Sequence, residues 1–284
     1  MDRLLIINAD DFGLCEGVNR AIAEAHTNGI LTSTTLMANM PSAEDAIKIA
    51  KSLPTLGTGI HLNLTDGKPL SKEQTVNLLT DTNGKFCFKA NQLALKSLAS
   101  RKFRAAIKAE LAAQIQWAID KGIKPTHLDS HKHIHSFPSI YPIVCSLAKQ
   151  YNIGAIRFTY EPTSVFSAPW PPTDKDAPKR TRLTRMMARI NRFQNPEFLK
   201  TKATYGIAHT GKIDINFFKA LVMDTPSGYS PAEVMTHPGY IEGLEKFKTR
   251  LVESRKLEFD TLCSKEVRQF LQDAGVKLIH YGQL

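Results

Sequence analysis

The chain has 284 residues, of which 42% are hydrophobic and 23% are charged, so it is long and apolar enough to bury a substantial core. No apolar run approaches the length of a membrane-spanning helix, no secretory leader is recognisable, and the four cysteines lack zinc-knuckle or disulfide spacing. The formal net charge is +10, which favours anionic partners. We therefore exclude a transmembrane or disulfide-stabilised class and expect a cytoplasmic protein with reduced cysteines.

Short β-rich runs alternate with helical periodicity along the chain. The strands are predicted at residues 4–8, 31–37, 58–64, 126–130, 155–159, 204–208, 233–236 and 277–280. The helices are predicted at residues 16–28, 43–52, 104–120, 140–151, 215–223 and 265–274. Several strands are continuous apolar runs, which is typical of parallel strands covered on both faces. This alternation predicts an α/β fold, a TIM-barrel-like (β/α) barrel or a close, imperfect variant of it, with an open doubly wound sheet as the alternative.

One segment interrupts the alternation. Prolines crowd residues 161–178, and neither regular helix nor a central strand accommodates them. Residues 175–202 are strongly basic. We predict one domain over residues 1–284 with an insertion at about 161–202, at the face of the barrel where substrates bind.

The basic stretch at 175–202 bears on the partners of the protein. It is suited to a membrane surface or a lipid-borne substrate, which would place the protein peripherally at the inner membrane face. A solvated surface helix is the alternative. Nucleic acid is not an expected partner because no nucleic-acid-binding motif accompanies the charge. Assembly into a homo-oligomer is left open.

Polar clusters stand at the predicted carboxyl ends of four strands, where catalytic groups of barrel enzymes collect. The first is the pair Asp10 and Asp11. Adjacent carboxylates repel one another unless a cation or proton shares the site, although one of them would also suit a helix N-cap. In the second cluster, period-two alternation puts His61 and Asn63 on the same strand face. A lone histidine there would more often be a core residue.

The third cluster is the densest. His127, Asp129, His131, His133 and His135 lie within nine residues of sequence. The first three would share one strand face if the strand continued that far. Bunched imidazoles at alternate positions are typical zinc ligands, so this run predicts a metal site.

Two further strand ends carry candidate residues. His237 ends the strand before Pro238 and Gly239 turn the chain, which would hold its imidazole at the barrel mouth. Arg157 also stands at a predicted strand end. It is a candidate for positioning Asp10 or the sugar, with a structural salt bridge as the alternative.

The runs NADDFGL, GIHLNLT, PTHLDSHKHIH and MTHPGY together resemble the YdjC/ChbG family of carbohydrate deacetylases, from the first strand to the last. The resemblance implies a TIM-barrel-like fold, one divalent metal ion and hydrolysis of N-acetyl groups on sugars such as chitooligosaccharides. It implies that Asp11, His61 and His131 bind the metal. It also implies that Asp10 is the general base and His237 the general acid.

The length, the basic insertion and the C-terminal run of the chain are more similar to the hopanoid-associated HpnK branch of that family. This branch implies an N-acetylglucosaminyl lipid, such as a hopanoid glycolipid, as the substrate. Zinc is the leading metal because of the histidines, with magnesium, nickel, cobalt and manganese as alternatives. Asp129 is expected to orient a histidine ligand, and His127 and Asn63 are expected to support the site or bind substrate.

Two other functions remain open at this stage. Another metal-dependent hydrolase, such as a sugar esterase or a phosphatase, would use a similar ligand set. A basic membrane-associated adaptor would use the metal only structurally, and such a site would normally be closed by four protein ligands.

Overall fold

A computed structural model describes residues 3–162, 176–224 and 229–284. Parallel pairing joins seven strands of this part of the chain into one sheet. The strands are β1 (Arg3–Phe12), β2 (Ser33–Leu36), β3 (Gly57–Leu62), β4 (Leu128–Ser130), β5 (Ala203–Tyr205), β6 (Ala232–Thr236) and β7 (Val276–Leu278). The order is β4-β3-β2-β1-β6-β5, and β7 pairs with the beginning of β1. Because the strands are parallel, their carboxyl ends meet at one edge.

Helices surround this sheet. In the described ranges they are α1 (Glu16–Asn28), α2 (Ala43–Ser52), α3 (Ala90–Ala99), α4 (Arg101–Asp120), α5 (Tyr141–Gln150), α6 (Ala177–Gln194), α7 (Ile215–Asp224), α8 (Glu253–Cys263) and α9 (Lys265–Asp273). Each of the six predicted helices is present within a few residues of its expected bounds, whereas α3, α6 and α8 were not predicted. No helix in these ranges combines the length and the hydropathy that crossing a membrane requires.

The predicted strand at 155–159 is wrong as a regular strand. Ile156 makes only an isolated parallel bridge to Leu128 of β4. Beyond it, the carbonyl of Tyr160 accepts a hydrogen bond from the backbone N–H of Thr204 in β5, at 2.9 Å. A long ladder cannot form because β4 ends at Ser130 and the chain then enters a 3-10 turn. This irregular segment therefore connects the two outer strands of the sheet.

The architecture is the predicted imperfect α/β barrel. Every residue of β2 and β3 is buried, as expected for parallel strands with both faces covered. Helices bury one face against the sheet, and each large apolar side chain so buried stabilises the fold by about 1.5–3 kcal/mol. The single-domain organisation stays a prediction. Within the insertion predicted at 161–202, residues 163–175 lie outside the described residues and α6 follows them.

Candidate active site

A cleft of about 720 Å³ opens at the carboxyl edge of the sheet. Its walls include most of the residues that the sequence placed at strand ends, namely Asp10, Asp11, His61, His131 and His237. They come from different strands and turns, and the parallel topology brings these strand ends to one edge of the sheet. The cleft is the candidate active site.

The two adjacent aspartates reach the same cleft because β1 is irregular at its end. Regular strand alternation would point Asp10 and Asp11 to opposite faces of the sheet. Instead, the register against β2 shifts between Ala9 and Phe12, and Asp11 adopts a left-handed backbone with φ of 67°. A non-glycine residue in this region is strained, and such strain is often found at functional positions. Both carboxylates therefore line the cleft.

Asp11, His61 and His131 form a three-ligand group. The Oδ1 atom of Asp11 lies 3.2 Å from Nδ1 of His131 and 3.6 Å from Nε2 of His61. Tetrahedral ligands at zinc distances stand about 3.3 Å apart, which these spacings match. That Oδ1 atom is buried and accepts no hydrogen bond. A buried carboxylate oxygen facing two imidazole nitrogens is the arrangement that a divalent cation requires, so the residues fit a metal.

Each of the two imidazoles has a carboxylate at its other nitrogen. Nδ1 of His61 lies 2.8 Å from Oδ1 of Asp129, and Nε2 of His131 lies 3.3 Å from Oδ2 of Asp66. A carboxylate that accepts the free ring N–H fixes the tautomer and orientation of a metal-binding histidine. Asp129 thus lies where the sequence analysis expected it. Asp66 was missed, although it stands two residues after the predicted end of the strand at 58–64.

The electrostatics of this group suit a cation. Burial disfavours the charged form of His131, but the carboxylates of Asp11 and Asp66 outweigh it and raise the pKa of His131 to about 9. The pKa of Asp11 lies well below its ordinary value, because Arg255 and His131 more than offset the effect of burial. The negative potential of the carboxylates is therefore strong enough to keep His131 protonated near pH 7 when no metal ion is bound.

Arg157 forms a two-point salt bridge with Asp10, the first aspartate of the pair. Its guanidinium donates to both oxygens of Asp10, at 2.6 and 2.9 Å, and also contacts Asp129 at 2.7 Å and Glu233 at 2.6 Å. Burial would raise the pKa of Asp10, but the charge of Arg157 outweighs it and holds that pKa well below the ordinary value. Asp10 is therefore ionised. Asp10, His61 and Asp129 also cluster closely, but the guanidinium between the carboxylates disfavours a cation there.

His237 lies beside Asp10. Its Nε2 atom is 3.8 Å from Oδ2 of Asp10. Burial lowers the pKa of His237 to about 4, so the imidazole is neutral near pH 7. Its backbone N–H donates to a carboxylate oxygen of Glu258 in α8, at 2.5 Å. The strand end and the helix together hold the ring at the cleft.

Helix α8 supplies a residue that the sequence analysis missed. Arg255 is buried and donates a short hydrogen bond to Oδ2 of Asp11, which leaves Oδ1 to face the two histidines. Gly239 provides the space for it, because a Cβ there would lie 2.9 Å from Cδ of Arg255. The glycine of the His-Pro-Gly run is the signal that could have indicated a close approach at this point.

None of the four predicted supporting residues lies in the cleft lining, and two of them, His127 and Asn63, contact other parts of the protein. His127 stacks on Tyr281 with ring centroids 3.8 Å apart, and β4 begins one residue later, so it does not share a face with His131. Asn63 instead shapes the loop that follows β3. Its Oδ1 atom accepts the backbone N–H groups of Thr65 and Asp66, at 3.0 and 3.2 Å. Asn63 therefore supports the loop that carries Asp66.

Replacing Glu258 with Gln is expected to destabilise the protein by about 1–3 kcal/mol. One carboxylate oxygen accepts the N–H of Gly211 and the other accepts that of His237, so an amide NH2 would face one of these donors. Burial raises the pKa of Glu258 to about 7, and these two donors oppose that effect. Urea unfolding would measure the change. Glu253→Gln, at an exposed position of the same helix, is the control, and equal stability of both variants would contradict the prediction.

The chain is similar to one group of proteins along nearly its whole length. The sequence profile described as YdjC-like protein matches residues 4–273. A Brevibacillus brevis protein named carbohydrate deacetylase is 35% identical over 283 residues, and the match covers 99% of each chain. An Escherichia fergusonii protein named chitooligosaccharide deacetylase is 33% identical, with the same coverage. A solved Enterococcus faecalis structure, described as a cellobiose-phosphate cleavage protein, has a TM-score of 0.75 at 24% identity, covering 100% of this chain and 99% of that one. This last likeness supports the fold alone.

Proposed function

Because the chain belongs to the YdjC-like family, we propose that it is a metal-dependent hydrolase that removes an N-acetyl group from an amino sugar. The observation that carries the proposal is the juxtaposition of two units in one cleft. One is the group of Asp11, His61 and His131, and the other is the pair of Asp10 and His237. The relatives named as deacetylases of carbohydrates indicate the substrate class.

Asp11, His61 and His131 would hold one divalent ion, with zinc the leading choice and magnesium, nickel, cobalt or manganese as alternatives. When bound, such an ion activates water and polarises the amide carbonyl. Three protein ligands leave a position open, as catalytic sites do and structural sites do not. This argues against an adaptor with a merely structural metal.

Asp10 and His237 are suited to proton transfer. Asp10 is ionised and can accept a proton from the attacking water at Oδ2. Because Arg157 lowers its pKa, Asp10 would keep that proton only briefly, and Nε2 of His237 is the neighbouring base at 3.8 Å. His237 would then donate the proton to the leaving nitrogen of the sugar. A pKa of about 4 makes the protonated ring a strong acid for that step.

The identity of the amino sugar is the finer part of the proposal. A cleft of about 720 Å³ admits more than a monosaccharide, so both a chitooligosaccharide and a sugar attached to a lipid fit. Resemblance to the hopanoid-associated branch and the basic residues of the insertion favour the lipid-borne sugar. The enzyme would then act in the cytoplasm, peripherally at the inner face of the membrane. Formation of a homo-oligomer stays a prediction.

Acetate release would test this function directly. The metal-loaded protein is incubated with chitobiose, longer chitooligosaccharides and an N-acetylglucosamine-bearing lipid, with Asp10→Asn as the control. We expect acetate from at least one acceptor with the wild-type protein and at least about 100-fold slower release with the control. No acetate from any acceptor, in protein shown to contain metal, would contradict the proposal. Release from O-acetylated sugars, or of phosphate from sugar phosphates, would then support the esterase or the phosphatase alternative.

Metal affinity is expected to rise with pH, by about tenfold per pH unit between pH 6 and 8. A metal must displace the proton that His131 binds, and the pKa of that histidine is about 9. Competition with a chelator of known affinity measures the dissociation constant at each pH. His133→Ala, which keeps all three proposed ligands, is the control and should show the same pH dependence. An affinity independent of pH in the wild-type protein would show that no proton is displaced and would contradict the ligand assignment.

A further inference from the structure

Helix α6 exposes a row of large apolar side chains. Leu183, Met186, Ile190 and Phe193 are 48%, 54%, 39% and 88% exposed. Their spacing of three, four and three residues places them along one stripe of the helix. The opposite face, with Thr184, Ala188 and other small residues, is the one that packs against the protein. A contiguous exposed apolar stripe, unlike scattered apolar residues, marks an interaction surface.

The remaining exposed surface of α6 is basic. Its exposed cations are Lys179, Arg182, Arg189 and Arg192, and the helix contains no aspartate or glutamate. Arg180 and Arg185 are only partly exposed, because Arg180 lines the cleft and Nε of Arg185 donates to the carbonyl of Glu161. An apolar stripe with basic residues beside it is the composition of helices that lie in the headgroup region of a bilayer. There the apolar side chains enter the acyl boundary while the cations contact anionic headgroups.

The position of α6 connects this surface to the site. Leu183, which begins the apolar stripe, also lines the cleft that contains Asp10 and Asp11. Arg180 and Met187 of the same helix line it as well. A membrane that received the stripe would therefore lie at the mouth of the cleft, where a headgroup could enter it from the lipid surface.

The charge and the apolar stripe of α6 argue against a second copy of the chain or a nucleic acid as the partner of this surface. A second copy of the chain would bring another basic helix against this one, and like charges in contact repel. Nucleic acid would use the cations but would leave Met186, Ile190 and Phe193 exposed to water. An anionic lipid surface satisfies the apolar and the basic residues together.

We propose that α6 is a docking helix for anionic membrane, with the apolar stripe of Leu183, Met186, Ile190 and Phe193 inserted at the bilayer surface and its exposed cations on the headgroups. The proposal deepens the lipid-borne form of the proposed function and rests on it for the choice of substrate. Binding to vesicles, however, needs neither metal nor catalysis. The two proposals can therefore fail separately.

The test is co-sedimentation of the full chain with vesicles of phosphatidylcholine alone or of equal parts phosphatidylcholine and phosphatidylglycerol. We expect binding to the anionic vesicles only, and weaker binding at high salt. Met186→Ser, Ile190→Ser and Phe193→Ser together should weaken it by about tenfold or more. Lys179→Gln, Arg182→Gln and Arg192→Gln together should weaken it on the order of 100-fold. These residues lie outside the cleft lining, so release of acetate from a water-soluble acceptor should be unchanged.

Met223→Ser is the matched control, because Met223 lies on α7 and is 81% exposed. It should bind vesicles like the wild-type protein. Equal sedimentation with neutral and anionic vesicles, or unchanged binding of the apolar triple variant, would overturn the proposal. So would a wild-type dimer that the triple variant converts to monomer in solution, since the stripe would then belong to a subunit interface. Circular dichroism of both triple variants confirms that a loss of binding is not a loss of folding.

Discussion

Asp10→Asn is expected to lower kcat by about 10²- to 10⁴-fold, the usual contribution of a general base, while one metal ion per chain remains bound. The amide keeps the shape of the side chain but cannot accept the proton of the attacking water. The amide NH2 would face one guanidinium N–H of Arg157, which costs about 1–3 kcal/mol of stability. Arg157 retains its contacts with Asp129 and Glu233, so the pocket is expected to persist. Steady-state kinetics on a reactive acceptor, with metal analysis of the same sample, measures both effects.

Asp273→Asn on the surface of α9 is the control for this substitution and should behave like the wild-type protein. The diagnostic feature is the separation of activity from metal content. If Asp10→Asn lost its metal together with its activity, Asp10 would be a ligand rather than the base. If kcat stayed within a few-fold of the wild-type value, another group would have to accept the proton.

His131→Ala is expected to lose the metal and, with it, the activity. Loss of an outer partner of a ligand alone costs about 10- to 100-fold in metal affinity, so removal of the ligand itself should cost at least that much. Nδ1 of His131 faces the buried Oδ1 atom of Asp11, and alanine leaves that oxygen with only one imidazole neighbour. Elemental analysis after dialysis would measure the metal content.

His133→Ala is the matched control in the same turn. His133 also lines the cleft, but it is not a member of the Asp11, His61 and His131 group. We expect this variant to retain its metal. Unchanged metal content in His131→Ala, or equal losses in both variants, would contradict the assignment of His131.

The sequence by itself determined the succession of helices and strands and the residue types at strand ends. Apolar runs and helical periodicity are local, so α1 and α2 have the predicted bounds. Because parallel strands end at one edge, Asp10, His61 and His237 could be predicted to meet without knowledge of strand order. The family motifs then attached roles to these residues, and those roles stay predictions.

Only the tertiary structure decided what surrounds these side chains. Arg157 contacts Glu233, Arg255 contacts Asp11, and Asp66 contacts His131.

No spacing encodes such pairs, because the partners lie far apart in the chain and their distances depend on how helices and loops pack. His127 is the opposite case, a residue that the sequence placed in the site and that the structure places outside the cleft lining. Its place in a histidine-rich run predicted a site residue, yet the start of β4 turns its ring onto Tyr281. The exposure of the apolar stripe on α6 likewise follows from which helix face packs on the protein, because burial is a property of the folded molecule and not of the residue.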